Sequence, residues 1–223
     1  MDPIAVMDSI EALLKRHPLD GYEIFMSSAR NLTIEVKDGK VDTFKCAAPV
    51  GVGVRVLSSA VLGFSFSTSL DEQDLLRMIE NAMTSARYQS ADELSAFPIP
   101  EPYPSITGLF DESLAGVGES EKIGRAMELE MVAMASDRRI KRVRKAVYGE
   151  SIYEGFIRNS LGVAGSLRDT SITCSVTAIA EEGEDSQMGW DFGFSNSFTG
   201  VDVEKIAATA AGRRYLRADR DLL

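Results

Sequence analysis

The residues best suited to catalysis or metal binding are few and far apart in this sequence. There is one histidine, His17, and there are two cysteines, Cys46 and Cys174, without CxxC spacing. Zinc sites and histidine-dependent nucleophiles need several such side chains close together, so one histidine excludes an HExxH-type site within these 223 residues. We expect His17 to lie at the end of a helix near its last carbonyls. Both cysteines are expected to be buried or half-buried.

A glycine-rich stretch, GVGVRVLSSAVLGFSFSTSL at residues 51–70, is a second candidate for chemistry. A phosphate-binding loop places its glycines at the turn between a strand and a helix, where backbone N–H groups converge on the anion. Here Val52, Val54 and Val56 alternate with other residues, and a second alternating segment follows before any helix can begin. The stretch therefore predicts a β-hairpin and not a phosphate loop.

Arg55 shares one face of the predicted strand with Gly51 and Gly53. Positions without side chains leave room for another chain to approach, and an arginine beside them can bind a carboxylate or a carbonyl. The alternative is a solvent-facing arginine on an edge hairpin. We take Arg55, Gly51 and Gly53 as candidate substrate or interface residues.

Six basic residues fall between positions 138 and 145. They indicate either a patch for nucleic acid or an acidic peptide, or the solvated face of a strand. The run contains no aromatic residue to stack on bases, and the formal net charge of −10 opposes nucleic acid as a partner. Just before it, Met127, Met131 and Met134 have helical spacing, which is typical of core or interface packing.

The elements that must position these residues follow the same order in each half of the chain. A helix, an antiparallel meander and a second helix are predicted in both halves, with hairpin turns at Asp38-Gly39 and at 159–162. The last helix is predicted to be capped by Asp202 and to include Tyr215. We therefore predict an α+β fold of two similar helix–meander–helix subdomains, and the matched order favours an internal duplication.

The proline-rich segment between the halves is the predicted boundary. It gives a first subdomain at residues 1–100, a connector at 101–112 and a second subdomain at 113–223.

Several segments resemble the TldD/PmbA proteins, which are described as modulators of DNA gyrase or peptide-maturation proteins. They are GVGVRVLSSAVLGFSFSTSLDEQDLLRMIENAMTSA, ELEMVAMASDRRIKRV, FIRNSLGVAGS, AIAEEGEDSQMGW and VEKIAATAA. The resemblance covers nearly all of the chain and is closer to the PmbA branch, also called TldE. Asn159 and Ser160, in FIRNSLGVAGS, join the candidate substrate or interface residues.

The resemblance implies a part in proteolysis. Family members act in pairs as a cytoplasmic zinc metalloprotease that trims or degrades unfolded peptides, and the metal motif His-Glu-x-x-x-His lies in the C-terminal half of the TldD partner. These 223 residues do not include that C-terminal domain. We therefore expect no catalytic residue, metal or cofactor in this chain, and zinc in the partner subunit.

The expected partners are a TldD-like subunit or a second copy of this chain, together with unfolded peptides. Nucleic acid is not expected, and neither is a membrane, because no apolar run approaches the ~18 residues of a spanning helix. Three functions remain open at this point. The chain is the N-terminal part of a PmbA-like metalloprotease subunit, a non-catalytic peptide- or protein-binding module, or a hydrolase with an unrecognised nucleophile.

Overall fold

The protein has a mixed α+β fold, seen in a computed structural model that describes residues 2–212. In this part of the chain the α-helices are α1 (Pro3–Leu14), α2 (Glu72–Ala86), α3 (Glu119–Ala135) and α4 (Val203–Gly212). The strands are β1 (Gly21–Lys37), β2 (Lys40–Ala47), β3 (Val50–Ser58), β4 (Val61–Ser67), β5 (Ile140–Asn159), β6 (Ala164–Glu182) and β7 (Asp185–Ser195). Tyr215, predicted in the last helix, lies outside the described residues.

The strands form one sheet in the order β4-β3-β1-β5-β6-β7, and β2 is also paired with β1. The predicted meander is wrong at one step, because β3 pairs with β1 and not with β2. The long strand β1 instead pairs with β3 through residues 21–28 and with β2 through residues 31–37. One long strand therefore pairs with two shorter strands, one after the other along its length.

The chain forms two compact units, and each is built from three separate segments. Unit 1 comprises the residues up to Ala29, Ala48–Ile106 and Tyr153–Arg168. Unit 2 comprises Arg30–Ala47, Thr107–Ile152 and the residues from Asp169 on. This differs from the contiguous subdomains expected from the sequence, because the long strands β1, β5 and β6 each contribute residues to both units.

In unit 1, helices α1 and α2 cover one face of the strands. The buried residues of this core come from α1, α2, β1 and β3, and on the strands they are Tyr22, Ile24, Met26, Val52, Val54 and Val56. Because successive side chains of a strand point to opposite faces, the odd-numbered residues of both strands lie on the face away from the helices. At Gly63 of β4 the backbone comes so close to α2 that an added Cβ would collide with the Ala82 carbonyl oxygen.

In unit 2, helices α3 and α4 pack together and cover the buried face of the strands. The core contains Ala126, Leu129 and Ala133 of α3, and Ile34 and Val36 of β1. A polar group lies within it. Lys122 Nζ is 2.7 Å from Glu150 Oε2, and the Tyr148 hydroxyl donates to the same oxygen at 2.8 Å.

The predicted turns and the last helix cap are confirmed. Asp38 and Gly39 have φ values of 52° and 66°, as the primed turn of a two-residue hairpin requires. The backbone N–H of Lys205 donates to Asp202 Oδ1 at 2.9 Å, which caps α4. Within residues 2–212, no helix is long and apolar enough to cross a membrane.

Candidate functional site

The glycine-rich stretch is a β-hairpin, as predicted. Gly51 and Gly53 lie inside β3, and β4 follows before helix α2 begins at Glu72. Their backbone N–H groups are therefore part of a sheet and do not converge at a helix N-terminus. The phosphate-loop alternative is excluded.

Gly53 lies between two aromatic residues on the open face of unit 1. It is paired with Phe25 on β1 and with Phe66 on β4. The preceding row of the same face consists of Glu23, Arg55 and Phe64. Neighbouring positions in register have Cβ atoms about 5 Å apart, so the glycine forms the floor of a slot with aromatic side chains on both sides.

The slot has a volume of ≈ 270 Å³. Its apolar walls remain open to solvent, since Phe25, Phe64 and Phe66 are 46%, 56% and 69% exposed. An added Cβ on Gly53 would lie 3.2 Å from Phe64 Cε2, so the Phe64 ring leans over the glycine. Small-molecule sites usually measure roughly 300–1,000 Å³. We infer that this smaller slot suits one large apolar side chain.

Arg55 lies at one end of the slot, and its guanidinium donates hydrogen bonds to a carboxylate of the same chain. Its Nε and Nη2 donate to Glu23 Oε1 at 3.0 and 2.5 Å, and its guanidinium lies 5.5 Å from the centroid of the Phe97 ring. Neither hydrogen bond uses Nη1, and the arginine side chain is still 45% exposed. The arginine therefore contacts the segment around Phe97, and part of its side chain stays exposed beside the slot.

Asn159 and Ser160 organise a turn and the start of β1. Asn159 Nδ2 donates to the Pro98 carbonyl at 2.7 Å, and its Oδ1 accepts from the N–H groups of Leu161 and Val163. Two hydrogen bonds join Ser160 to Tyr22. Its Oγ accepts from the Tyr22 N–H at 3.1 Å, and its own N–H donates to the Tyr22 carbonyl at 2.9 Å.

The structure thus brings Arg55, Gly51 and Gly53 together in the slot and places the other two candidates beside it. Phe97 connects Arg55 with Ser160. Its ring lies against the Arg55 guanidinium, and a Cβ added to Gly21 would lie 2.9 Å from this ring and 3.2 Å from Ser160 Oγ. Asn159 is buried and its side chain makes three hydrogen bonds in and around the turn, so we assign it a structural role.

Sequence reasoning missed the aromatic walls and the buried acid. The alternation of Phe64 and Phe66 with smaller residues was a visible strand signal, but it could not tell which face lies open. Glu23, an acid in an otherwise apolar strand, indicates a buried ion pair, but the sequence does not identify its partner. Phe97 had no local signal, because its contacts come from residues distant in sequence.

The cysteines and the histidine do not form a site. Cys174 is buried, as expected, and burial raises the pKa of its thiol to about 11. The expectation for Cys46 is wrong, since it is exposed on β2, a strand whose other residues are also exposed or half-buried. The N–H of His17 donates to the Leu14 carbonyl after α1. Among residues 2–212, no group of three or more histidine, cysteine or acidic side chains could hold a metal ion.

Two models of one protein family match most of the sequence. The PmbA/TldA metallopeptidase domain 1 matches residues 22–86, and the PmbA/TldA metallopeptidase central domain matches residues 112–216. The chain belongs to the PmbA/TldD metallopeptidase family. The resemblance to the TldD/PmbA proteins is thereby confirmed.

Individual relatives agree with the family assignment. The metalloprotease PmbA of Escherichia coli O157:H7 is 24% identical over 205 residues, which are 88% of this chain and 44% of PmbA. An uncharacterised protein of Methanocaldococcus jannaschii is 25% identical over 179 residues, which are 79% of this chain and 40% of that protein. The chain spans less than half the length of these relatives.

Solved structures show the same fold. TldE from Thermococcus kodakarensis matches with a TM-score of 0.81 at 19% identity, over 94% of this chain and 47% of TldE. A protein of Thermotoga maritima described as a candidate modulator of a DNA gyrase matches with a TM-score of 0.81 at 18% identity, over 95% of this chain and 47% of that one.

Proposed function

We propose that this chain is the non-catalytic N-terminal part of a PmbA/TldD-type metalloprotease for peptide maturation and degradation. Its membership of the family supports the link to proteolysis. The single histidine and the lack of a metal-ligand group among residues 2–212 support a role outside catalysis. In this proposal the zinc belongs to a TldD-like partner subunit in the cytoplasm, because a second copy of the chain would bring the same single histidine.

The observation that carries the proposal is the aromatic slot around Gly53. An unfolded peptide differs from a folded protein in exposing its large apolar side chains, and one such side chain fits between Phe25 and Phe66. Arg55 Nη1 can donate to a carbonyl of the same peptide. Because Arg55 and Glu23 neutralise each other, the slot suits an uncharged stretch of chain.

The peptide is expected to lie on the face of the sheet and not along its edge. β4 is an edge strand, and edges commonly bind peptides by adding a strand. Here the Phe64 N–H donates to Ser85 Oγ of α2 at 2.9 Å, so this backbone group is already used. Helices α1 and α2 of unit 1 pack on the opposite face of these strands.

Peptide binding tests the slot. The probe is a short fluorescein-labelled peptide with one phenylalanine in a glycine-serine background, and fluorescence anisotropy gives its affinity for the full chain. We expect Phe66→Ala and Gly53→Val to weaken binding about tenfold or more. Tyr88→Ala removes an aromatic side chain that is 84% exposed but outside the slot, and it should leave the affinity unchanged. Equal effects of all three variants would contradict the proposal.

A second experiment tests the non-catalytic role. The isolated chain is expected to bind no stoichiometric zinc and to cleave no peptide, because it lacks the ligand set that a zinc site requires. Zinc-dependent cleavage should appear only with a TldD-like partner. Elemental analysis that finds zinc at a one-to-one ratio in the isolated chain, together with chelator-sensitive peptidase activity, would rule this role out.

The second candidate function is a peptide- or protein-binding module that works without a protease partner. The slot supports it equally well. The two candidates differ in one result, since a free-standing module would bind the labelled peptide but gain no activity from any TldD-like subunit.

We also propose that the two halves arose by duplication. Matching close contacts support this idea, because a Cβ on Gly63 of β4 would collide with the Ala82 carbonyl of α2, and a Cβ on Gly189 of β7 would collide with the Ala210 carbonyl of α4. In each unit a strand glycine thus meets a helix alanine.

A further inference from the structure

Unit 1 contains a second cavity, on the side of the sheet that the helices cover. It is formed by residues 17–19 after α1, by the hairpin of β3 and β4, and by the end of α2. We call this cavity the end pocket. Its volume of ≈ 460 Å³ lies within the roughly 300–1,000 Å³ that is usual for small-molecule sites. Its lining shares no residue with the aromatic slot.

The walls of the end pocket are mainly apolar. Val56 and Ala86 are buried in its lining, and Leu19, Val61 and Met83 are half-buried. Val56 belongs to the core of unit 1, and Leu19 and Met83 pack against that core. A ligand with an apolar body would therefore cover apolar surface that the fold leaves partly open to water.

The polar side chains of the end pocket can all donate hydrogen bonds, and none of them is acidic. They are His17, Ser58 and Arg87. Arg87 is exposed, and the other two are half-buried. Within residues 2–212, these three side chains form no ion pair and no hydrogen bond. A guanidinium, an imidazole and a hydroxyl are thus available to a ligand, and all three can donate to an anion.

Two acids lie beside the turn between β3 and β4, but neither lines the pocket. The Asp20 carboxylate accepts a hydrogen bond from the Ser59 N–H. The Asp92 N–H donates to the Ala60 carbonyl at 2.8 Å, while Asp92 Oδ1 accepts from the Leu94 N–H at 2.9 Å. In the described part of the chain neither acid forms an ion pair. These contacts hold the turn from both sides, so the rim of the pocket is formed before any ligand binds.

Both cations of the pocket follow the end of a helix. The His17 N–H donates to the Leu14 carbonyl of α1, and the Arg87 N–H donates to the Thr84 carbonyl of α2, each at 3.0 Å. A cation at a helix C-terminus is favourable without any ligand, so this position alone indicates no site. The ligand is indicated by the apolar cavity that both side chains line.

We propose that the end pocket binds an apolar carboxylate, with its carboxylate on Arg87 and His17 and its apolar body against Val56 and Met83. An arginine can bind a carboxylate through two parallel hydrogen bonds. In a chain of net charge −10, only a local group of cations can attract an anion. The same chemistry occurs in a free aliphatic acid and at the C-terminus of a peptide that ends in an apolar residue.

Nuclear magnetic resonance of the full chain tests the proposal. His17 is the only histidine, so its imidazole gives a single set of signals. We expect octanoate to shift these signals and the methyl signal of Met83. Met188, which is 57% exposed on β7 and outside the pocket, is the internal control and should not shift. Acetate, octanamide and octylammonium should each bind at least about tenfold more weakly, because each lacks either the apolar body or the negative charge.

The source of the carboxylate is decided by a second ligand. N-acetyl-leucine has the free carboxylate and the apolar side chain of a peptide C-terminus, whereas octanoate represents a free aliphatic acid. Both are titrated against the same His17 and Met83 signals. Tighter binding of N-acetyl-leucine identifies a peptide C-terminus as the ligand, and tighter binding of octanoate identifies a free acid.

Variants separate the charge of the pocket from its fold. Arg87→Gln should weaken octanoate binding about tenfold. Arg77→Gln, on the same helix but outside the pocket, should not change it. Arg87→Glu should lose octanoate and gain octylammonium, an exchange that loss of folding cannot produce. Phe66→Ala changes the aromatic slot only, so octanoate binding should survive it whether or not the slot binds peptides.

Four results would overturn the proposal. The first is that octanoate leaves the signals of His17 and Met83 in place. The second is that octanamide binds as tightly as octanoate, which would show a purely apolar cavity. The third is that acetate or inorganic phosphate binds as tightly, which would show a general anion site. The fourth is that Arg77→Gln weakens binding as much as Arg87→Gln, which would show an effect of overall charge.

Discussion

Glu23 Oε1 accepts two hydrogen bonds from Arg55, which lies directly opposite Glu23 in the pairing of β1 with β3. The two side chains differ in environment, since the glutamate is 7% exposed and the arginine 45%. Within residues 2–212, Arg55 is the ion-pair partner of this carboxylate. The pair also holds the guanidinium against Phe97, so the buried acid fixes the end of the aromatic slot.

Arg55→Ala is expected to lower the free energy of unfolding by about 1 kcal/mol or more, because it leaves a buried acceptor without its donor. Half of the arginine is exposed, so solvent screening keeps the loss below that of a fully buried pair. Arg55→Lys should restore only part of the stability, since the planar fork is lost. Urea unfolding monitored by circular dichroism gives the free energy of unfolding of the wild type and of the two variants.

Arg77→Ala is the matched control for this experiment. Arg77 pairs with Asp74 at 3.1 Å on α2, and its side chain is 68% exposed. Exposed pairs of this kind contribute about 0.5 kcal/mol or less. If Arg55→Ala costs no more than Arg77→Ala, Arg55 is an ordinary surface residue.

The two cysteines should differ sharply in reactivity. Cys46 is exposed, whereas Cys174 is buried with the pKa of its thiol raised to about 11. At pH 8 a thiol with this pKa is only about one-thousandth thiolate, and the thiolate is the reactive form. A thiol-specific reagent should therefore modify one cysteine in the native protein and both in denaturant. Cys46→Ser should abolish the fast reaction, and a fast reaction that survives this change would place Cys174 at the surface.

Turns and single strands could be predicted because they depend on the types of a few consecutive residues. The turn at Asp38-Gly39 needs two residues that tolerate positive φ, and the sequence supplies them directly. The alternation of Val52, Val54 and Val56 likewise indicates a strand with one buried face. These features depend on neighbouring residues only, so no knowledge of the tertiary structure is required.

The long strands could not be predicted from the same patterns. Residues 27–31 of β1 read SSARN and lack apolar alternation, which indicates a break between two short strands. The strand nevertheless continues, because backbone hydrogen bonds need no apolar side chain and the two ends reach separate cores. The pairing of β3 with β1, and with it the slot at Gly53, follows from this continuity.

Gly63→Ala tests the close approach of β4 to α2. An added Cβ would collide with the carbonyl oxygen of Ala82, which belongs to the helix backbone and cannot rotate away. We expect a loss of about 1–3 kcal/mol, the usual cost of overpacking. Gly124→Ala is the control, because Gly124 lies in α3 and a Cβ there would point into open space beside the helix. That change should stabilise the helix by about 0.5–1 kcal/mol. Equal melting temperatures for the two variants would show that β4 and α2 are farther apart.

The buried polar group of unit 2 gives the largest expected effect. Lys122 and Glu150 have side chains that are only 11% and 8% exposed, and Tyr148, which donates to the same carboxylate, is fully buried. Removing one partner of a buried pair leaves the other charge without compensation and typically costs about 3–5 kcal/mol. Lys122→Met should fall in this range, whereas Tyr148→Phe removes one hydrogen bond and should cost about 1 kcal/mol.

The double variant Lys122→Met, Glu150→Gln distinguishes loss of charge pairing from loss of packing. The amide introduced by Glu150→Gln is neutral and can still accept a hydrogen bond from Tyr148. At least half of the stability lost in Lys122→Met should therefore return. Lys15→Met is the exposed control, because Lys15 pairs with Glu11 at 2.7 Å but is 63% exposed. It should change the free energy of unfolding by about 0.5 kcal/mol or less. A double variant as unstable as Lys122→Met would mean that Lys122 acts through its packing and not through its charge.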